Sequence, residues 1–552
     1  MAALRTRGLK KMPIELNRSR RRKGVAWLNS KPPKEGERAF IEREFAIMPC
    51  SDLDLKKPDF LAGLSAVVFT QKAEKPRQVV KDLEQHAQRL LDYDCRIILL
   101  PELATSSLLI NAINQHKLWT RGLPPEAAEK ISQWQNSKDG APLFPCAGYF
   151  EKKIVFEKQT FSWNTVANFV TDNPPGPAPS LSLKITPNNV ADKLDPDTQL
   201  LIRRAFWDCD NIDLVPMNGG HSGACVYRAY AELEGGLHGR WPQPYFVKVG
   251  KRFQILAEYK VYEENVDPYV PFHLGPHLVR DRCCLGASKG VIVGDYVEEA
   301  ESLLDCASQG RAASAIACLF DRTLLGWHRE TSAEPISLAT GLLRYFPRPH
   351  KFPKKRFARA CTLGATLDLW RLRALFEECT STPVLAAQIH GDLHAKNILV
   401  RATDAIVIDF YGHKKFPLVY DAACLEASLL VEGFVDDDRD IEEWLLSLDQ
   451  LYNYPLMDGT LYINPKERSR WFYACVRQIR RYARQWAGQD QYAGALALAL
   501  LIKAGKDDDV PEPESSRRAA AYVLAERILV KAFGSRLAAN APAQTAVAKV
   551  AS

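Results

Sequence analysis

The chain has 552 residues, enough for two or three domains with sizeable cores, and its 46% apolar and 25% charged residues are ordinary for a globular protein. The net charge of +7 does not mark a nucleic-acid binder, because residues 1–40 alone hold twelve Lys/Arg against three Asp/Glu and the rest is close to neutral. Thirteen cysteines without a C-x-x-C pair exclude a zinc ribbon and a disulfide framework. The longest apolar run, Tyr492 to Ile502, is shorter than the ~20 residues of a membrane helix, and no apolar leader opens the chain. A cytoplasmic protein with cysteines as small core residues is expected.

Residues 1–45 read as a basic, largely disordered tail. Arg20-Arg21-Arg22-Lys23 can touch nucleic acid, anionic lipid or an import receptor, or simply be solvated. Residues 64–70 then read as a buried strand. Residues 77–92 carry apolar positions at helical spacing, and Arg96 to Leu100 read as a second strand ending in Pro101-Glu102. Strand, helix, strand makes a βαβ unit with a carboxylate at the strand's carboxyl end. Further strands are expected at 143–150 and 161–170.

This stretch resembles the N-terminal half of the carbon–nitrogen hydrolase (nitrilase) superfamily, in Ile97 to Leu103 and in Ser162-Trp163-Asn164-Thr165-Val166-Ala167. The resemblance implies Glu102 as a general base and Lys184 as stabiliser of a tetrahedral intermediate. The thiolate is missing: the next cysteine, Cys209, has no small-residue elbow. A partial nitrilase-like α/β module over 46–190 is therefore expected, a relic serving binding or assembly. Half of such a sandwich would leave an apolar face open for a protein partner or the next domain.

A Pro-rich break at 171–180 leads into a lobe over 191–296. Gly219-Gly220-His221-Ser222-Gly223 lies between two strand-like runs, and such glycines let backbone N–H groups approach phosphate. Lys248 sits inside the apolar strand Tyr245 to Val249, where a lysine needs a partner. Glu258 on the following helix is the choice, flanked by Ile255, Tyr259 and Tyr262, with Glu263 as alternative. Gly290 to Tyr296 is a further apolar strand with a small-residue exit, suited to a hinge.

Residues 297–536 read as mainly helical. Within them stands His390-Gly391-Asp392-Leu393-His394-Ala395-Lys396-Asn397, then Ile406-Val407-Ile408-Asp409-Phe410. Asp392 is a base within reach of a substrate hydroxyl, and Asn397 and Asp409 are hard oxygen ligands for Mg²⁺. The ordered set H-G-D-x-x-x-x-N and I-D-F is a strong phosphoryl-transfer signal. It resembles the aminoglycoside phosphotransferase and choline kinase group of kinase-like proteins. Closer still is the bacterial ternary-complex-associated kinase-like domain, through the Gly-Gly-x-Ser-Gly loop and Asp421-Ala422-Ala423-Cys424-Leu425-Glu426.

The resemblance implies an α+β two-lobed protein-kinase-like domain behind the N-terminal module. Asp392 would be its catalytic base and Asn397 and Asp409 its Mg²⁺ ligands. Gly219, Gly220, Ser222, Gly223, Lys248 and Glu258 would bind ATP. Asp421 is expected to cap the next helix. The short Asp409–Asp421 stretch leaves no room for a long activation loop, which favours a small-molecule acceptor. The acidic run Glu432 to Glu443 can hold a cationic substrate or serve as a solvated helix N-terminus. Arg477, Arg480, Arg481 and Arg484 read as a solvated basic face, and 537–552 as a disordered tail. A nucleotide-binding scaffold without turnover is the alternative function, and an amidase a third.

Overall fold

The structure is a computed structural model that describes residues 22–69, 76–99, 154–155, 162–187, 194–217, 224–233, 244–410, 414–434, 440–456, 469–506 and 514–540. The chain divides into two compact units, one of residues up to Tyr259 plus His277–Tyr296, the other of Lys260–Pro276 plus everything from Val297. The division falls directly after the strand read as a hinge.

The first unit contains two sheets. One is built from β1 (Gly24–Leu28), β2 (Ala46–Cys50), β3 (Leu64–Phe69), β4 (Arg96–Leu99) and β5 (Ile154–Val155), all parallel, in the order β2-β1-β3-β4-β5. That is the order of doubly wound flavodoxin-like sheets. Alternate residues feed two cores. Ala26, Leu28, Val67, Phe69 and Ile97 pack with Leu61 of α2 (Pro58–Ala62) and Ala87 and Leu90 of α3 (Pro76–Asp92). Val25, Trp27, Ala66, Val68 and Ile98 pack with Phe40 of α1 (Lys34–Ile41) and Val166 and Val170 of α4 (Trp163–Asp172). Helices therefore cover both faces, as an all-parallel sheet requires.

This corrects the N-terminal expectation in several places. The tail assigned to 1–45 contains α1 and the inner strand β1, and Arg22 is buried, with its guanidinium on the carbonyls of Tyr93 and Pro177. The strand expected over 161–170 is helix α4. Trp163, Val166, Ala167 and Val170 follow helical spacing, and three of them are fully buried on one stripe. Among the described residues, helices pack on both faces of this sheet, where half of a nitrilase sandwich would leave one open. The strand expected at 143–150 and the base candidate Glu102 lie outside the described residues. The Pro-rich stretch is not a free linker, since Arg96 donates to the carbonyls of Asn173 and Pro174 at 2.8 and 2.6 Å.

The second sheet has the order β10-β11-β9-β8-β7-β6. Its strands are β6 (Lys184–Pro187), β7 (Cys209–Pro216), β8 (Cys225–Leu233), β9 (Tyr245–Lys251), β10 (Cys284–Leu285) and β11 (Lys289–Asp295). Only β6 and β7 run parallel; the other neighbours are antiparallel. α5 (Pro196–Ala205) starts at Asp195, whose carboxylate accepts from the Thr198 N–H at 3.2 Å, with Pro196 at its first turn. The two sheets are joined through buried charges. Arg204 of α5 donates to the carbonyls of Asp92 and Leu285, both at 2.8 Å, and lies 3.6 Å from the Asp94 carboxylate. α6 (Arg252–Val261) follows β9.

The second unit is mostly helical. Short strands β12 (Glu301–Ser302), β13 (Ser332–Glu334), β14 (Val384–Ile389), β15 (Ile398–Arg401), β16 (Asp404–Val407) and β17 (Lys414–Pro417) form sheets β12-β15-β16 and β13-β14-β17. Helices α7 (Leu303–Ser308), α8 (Ala312–Cys318), α9 (Leu325–His328), α10 (Leu338–Leu342), α11 (Lys354–Thr362) and α12 (Leu369–Glu377) precede the site. After it come α13 (Val419–Glu432), α14 (Ile441–Ser447), α15 (Arg470–Trp486), α16 (Gln489–Ala504) and α17 (Glu514–Asn540). α13 packs on both α15 and α16, and α16 lies along α17. Among the described residues no helix is long and apolar enough to cross a membrane.

His328 of α9 stacks on Phe320 at 6.4 Å between ring centres and stands edge-on to Trp486 at 4.9 Å. Burial pulls its pKa from 6.5 down to about 4. The unfolded chain therefore binds the proton first, so this stability is complete above pH 6.5 and is lost as pH falls to 4. The share of His328 is at most roughly 3 kcal/mol. Chemical unfolding across that window should show a shallower acid loss in His328→Phe than in the wild type. Equal slopes would refute the assignment.

Candidate functional site

The second unit's site grows from β14, whose apolar strand ends at Ile389 and hands the chain to His390. Gly391 has φ +77°, a turn that residues with a Cβ rarely adopt. His390 is fully buried. Its Nε2 lies 3.0 Å from the Ile408 carbonyl, and its Nδ1 accepts the Asp392 N–H at 3.3 Å, which fixes the Nε2–H tautomer. The ring thus ties the loop to the segment after β16, and His390 braces rather than reacts.

The loop is also held from below. The buried Asp421 carboxylate accepts the N–H of His390 at 2.8 Å and of Gly391 at 2.9 Å. The expectation that Asp421 caps its own helix is therefore corrected: α13 begins at Val419 without a side-chain cap, and Asp421 spends both oxygens on the loop. One turn pair further on, Ser428 Oγ accepts the Ala395 N–H at 3.0 Å and lies 3.4 Å from Glu432. Glu432 pairs with Lys503 of α16. Burial raises the Glu432 pKa, but Lys503 outweighs it and holds the carboxyl down to about 2.

Asn397 is buried, and its Nδ2 donates to the Asp392 carbonyl at 3.2 Å, which turns its Oδ1 the other way. Its own carbonyl accepts the Ile408 N–H at 2.9 Å, so the two segments are clamped together. Asp409 is half-buried with φ +64°, a strained backbone for a residue with a Cβ. One amide oxygen and one carboxylate are hard donors that suit Mg²⁺, which keeps waters and binds substrate phosphates as well. Among the described residues no cluster of three His, Cys, Asp or Glu side chains could hold a metal ion.

The Asp392 carboxylate is about half exposed, 3.9 Å from Lys506 Nζ just past the end of α16. Partial desolvation raises its pKa, yet Lys506, His394 and Lys503 together hold it below the usual carboxylate range. The His394 pKa is lowered as well: burial and then Lys503 pull it down to about 4. Its Nδ1 is buried without a hydrogen-bond partner among the described residues. Lys396 is exposed.

In the first unit, Lys248 and Glu258 are brought together as expected. Lys248 is buried in β9 between Val226 and Ile292 of its neighbours, and its Nζ lies 2.8 Å from Glu258 Oε2. Ile255 and Tyr259 of α6 are buried, and so is Tyr262 just past its end. Gly219, Gly220, Ser222 and Gly223 lie outside the described residues, between the antiparallel strands β7 and β8. Lys184 is not part of the N-terminal sheet. It sits exposed on edge strand β6 of the second sheet, opposite Asn211. The intermediate-stabilising role given to it is corrected accordingly, because the strand before it belongs to a different layer.

Of the two charged runs, one fits its expected reading in part and the other is corrected at one residue. Glu432 is buried against Lys503, and Asp440 caps α14 by accepting the Glu442 N–H at 2.8 Å. Glu442 and Glu443 are exposed in the first turn of α14, which fits the reading of a solvated helix N-terminus. Arg480 does not join the exposed Arg477, Arg481 and Arg484; it is buried in a two-pronged pair with Glu426 at 2.7 and 3.0 Å. Sequence reasoning also passed over Ser428, Lys503 and Lys506. Its missed signal was Asp421, Ser428 and Glu432 on one stripe of an otherwise apolar helix.

Among solved structures, the amicoumacin kinase hAmiN with AMP-PNP and Ca²⁺ is 12% identical, with 58% of this chain and 88% of that chain covered and a TM-score of 0.32. A glucosamine kinase with glucosamine, ADP and phosphate is 13% identical, with 61% and 84% covered and a TM-score of 0.31. The aminoglycoside phosphotransferase APH(3'')-Id of Streptomyces rimosus is 18% identical, with 53% and 100% covered and a TM-score of 0.27. No curated protein matches the sequence. Residues 309–452, which contain Asp392, Asn397, Asp409 and Asp421, match the model of the phosphotransferase enzyme family, APH.

Proposed function

We propose that the chain is an ATP- and Mg²⁺-dependent phosphotransferase acting on a hydroxyl of a small molecule. The observation that carries this reading is the loop His390–Asn397, pinned by Asp421, which presents Asp392 outward and is clamped to the strained Asp409 segment. Asp392, ionised at neutral pH, orients the acceptor hydroxyl and takes its proton. Asn397 Oδ1 and the Asp409 carboxylate are the donors that would hold Mg²⁺, whose chemistry at such sites is charge neutralisation on the transferring phosphoryl group. Lys248, kept in place by Glu258, is the cation for the nucleotide's phosphates. The short Asp409–Asp421 stretch supports a small acceptor. An amidase is the less favoured reading, because no cysteine on a small-residue elbow follows Lys184.

Thermal unfolding with and without ATP and Mg²⁺ tests the reading. At a hundredfold Kd of nucleotide the wild type should gain about 3 kcal/mol. Asp409→Ala and Lys248→Met should lose most of that gain. Asp392→Asn should keep it while ATP-dependent phosphorylation in a metabolite pool falls at least about 100-fold. Turnover that survives Asp392→Asn would sink the role given to Asp392. Nucleotide binding without any turnover would leave the scaffold reading instead.

A further inference from the structure

The charge beside Asp392 says what kind of acceptor the site takes, an inference that rests on the phosphotransferase reading above. The end of α16 carries two lysines toward the loop. Lys503 is buried and neutralised by Glu432. Lys506 is different: its side chain is 44% exposed, and among the described residues its anionic partner is the Asp392 carboxylate, 3.9 Å away. An ion pair that open is weak and exchanges readily.

Three acids of the described residues around the loop are committed to other partners. Glu432 is held by Lys503, Asp440 caps α14, and Asp421 is filled by the N–H groups of His390 and Gly391. The end of α16 is anchored by Arg518, which donates to the Lys506 carbonyl at 2.9 Å and pairs with Glu514, and by the buried Arg356, which donates to the Ala504 carbonyl at 3.4 Å. A polycationic acceptor reaching Asp392 would meet the Lys506 ammonium at close range.

We propose that Lys506 is a specificity-determining residue, selecting a small acceptor that carries a phosphate or carboxylate group next to the hydroxyl being phosphorylated. The acceptor's anion replaces Asp392 as the partner of Lys506, and the freed Asp392 receives the hydroxyl. The hydroxyl oxygen then forms a bond to the γ-phosphorus of ATP while the bond from that phosphorus to the β,γ-bridging oxygen breaks. ADP leaves with that electron pair, and the hydroxyl proton passes to Asp392.

The test uses the full chain with ATP and Mg²⁺, reading ADP release against four arms: sugar monophosphates, hydroxycarboxylates, their uncharged parent sugars and polyols, and amino sugars. Turnover is expected in the first or second arm, and which of them responds separates phosphate from carboxylate. For the best acceptor, Lys506→Ala should raise KM at least tenfold with kcat changed less than threefold. Lys506→Arg should restore KM, and Lys506→Glu should raise it further. Three results overturn the proposal: preferred turnover of neutral or amino sugars, a KM indifferent to Lys506→Ala, or no turnover in the anionic arms by protein that binds ATP with Mg²⁺. Loss of ATP–Mg²⁺ binding itself would instead bring down the phosphotransferase reading.

Discussion

Replacing Arg480 with methionine is expected to destabilise the second unit by about 3–5 kcal/mol, lowering its thermal midpoint by roughly 10 °C. Arg480 is buried on α15 and makes four bonds: two to the Glu426 carboxylate, and one each to the carbonyls of Leu451 and Leu456 at 2.8 Å. Glu426 is fully buried and also accepts from Tyr492 Oη at 2.5 Å. Methionine fills much of the volume but leaves a carboxylate in an apolar interior and two carbonyls without their donor. The double change Arg480→Met with Glu426→Leu removes both charges and should recover most of the loss, because the penalty comes from the orphaned ion rather than from the missing attraction. Urea unfolding of the three proteins measures this directly. A loss below about 1 kcal/mol in the single variant would show that water reaches Glu426, contrary to its burial.

Arg480 also illustrates where sequence reading stops. Its neighbours Phe472, Val476, Ile479 and Ala483 form the buried stripe of α15, and position 480 lies on that stripe. Helical spacing therefore marked it as inward-facing, yet its charge grouped it with Arg477, Arg481 and Arg484. Its partner is 54 residues earlier, and pairing over such a distance has no local signature. The 390–409 segment was open to reading for the opposite reason: its polar groups are compressed into a short stretch, where spacing alone orders them. Lys248 was legible because a lysine inside an apolar strand needs an acid, and the next helix offered one. The first sheet was not. Parallel strands pair across long crossovers, so the inner place of β1 follows from contacts with residues 46–50 and 64–69 rather than from its own flanks, which are basic. Helix α4 was misread because Trp163, Thr165, Val166, Phe169 and Val170 favour strands by type while their spacing is helical.

Asp421 should be the most sensitive position for activity outside the residues that meet substrate. Its two oxygens hold the N–H groups of His390 and Gly391, the two residues immediately before Asp392. Asparagine offers one acceptor where two are used, and turns an amide donor toward the second N–H. Alanine leaves both N–H groups buried and unpaired, at about 1–3 kcal/mol each. Gly391 at φ +77° has a wide range of backbone states once its N–H is released, so the loop can swing Asp392 away from the direction that Asn397 and His390 define. A displacement near 1 Å is enough to reduce a positioned reaction about 100-fold. Asp421→Asn is therefore expected to lower ATP-dependent ADP release about 100-fold at a temperature where unfolding curves show the protein still folded, with nucleotide-dependent stabilisation retained. Asp421→Ala should add a stability loss of about 2–4 kcal/mol to the same defect. A folded Asp421→Ala protein with kcat within threefold of wild type would mean that His390, through Ile408, holds the loop without help from α13.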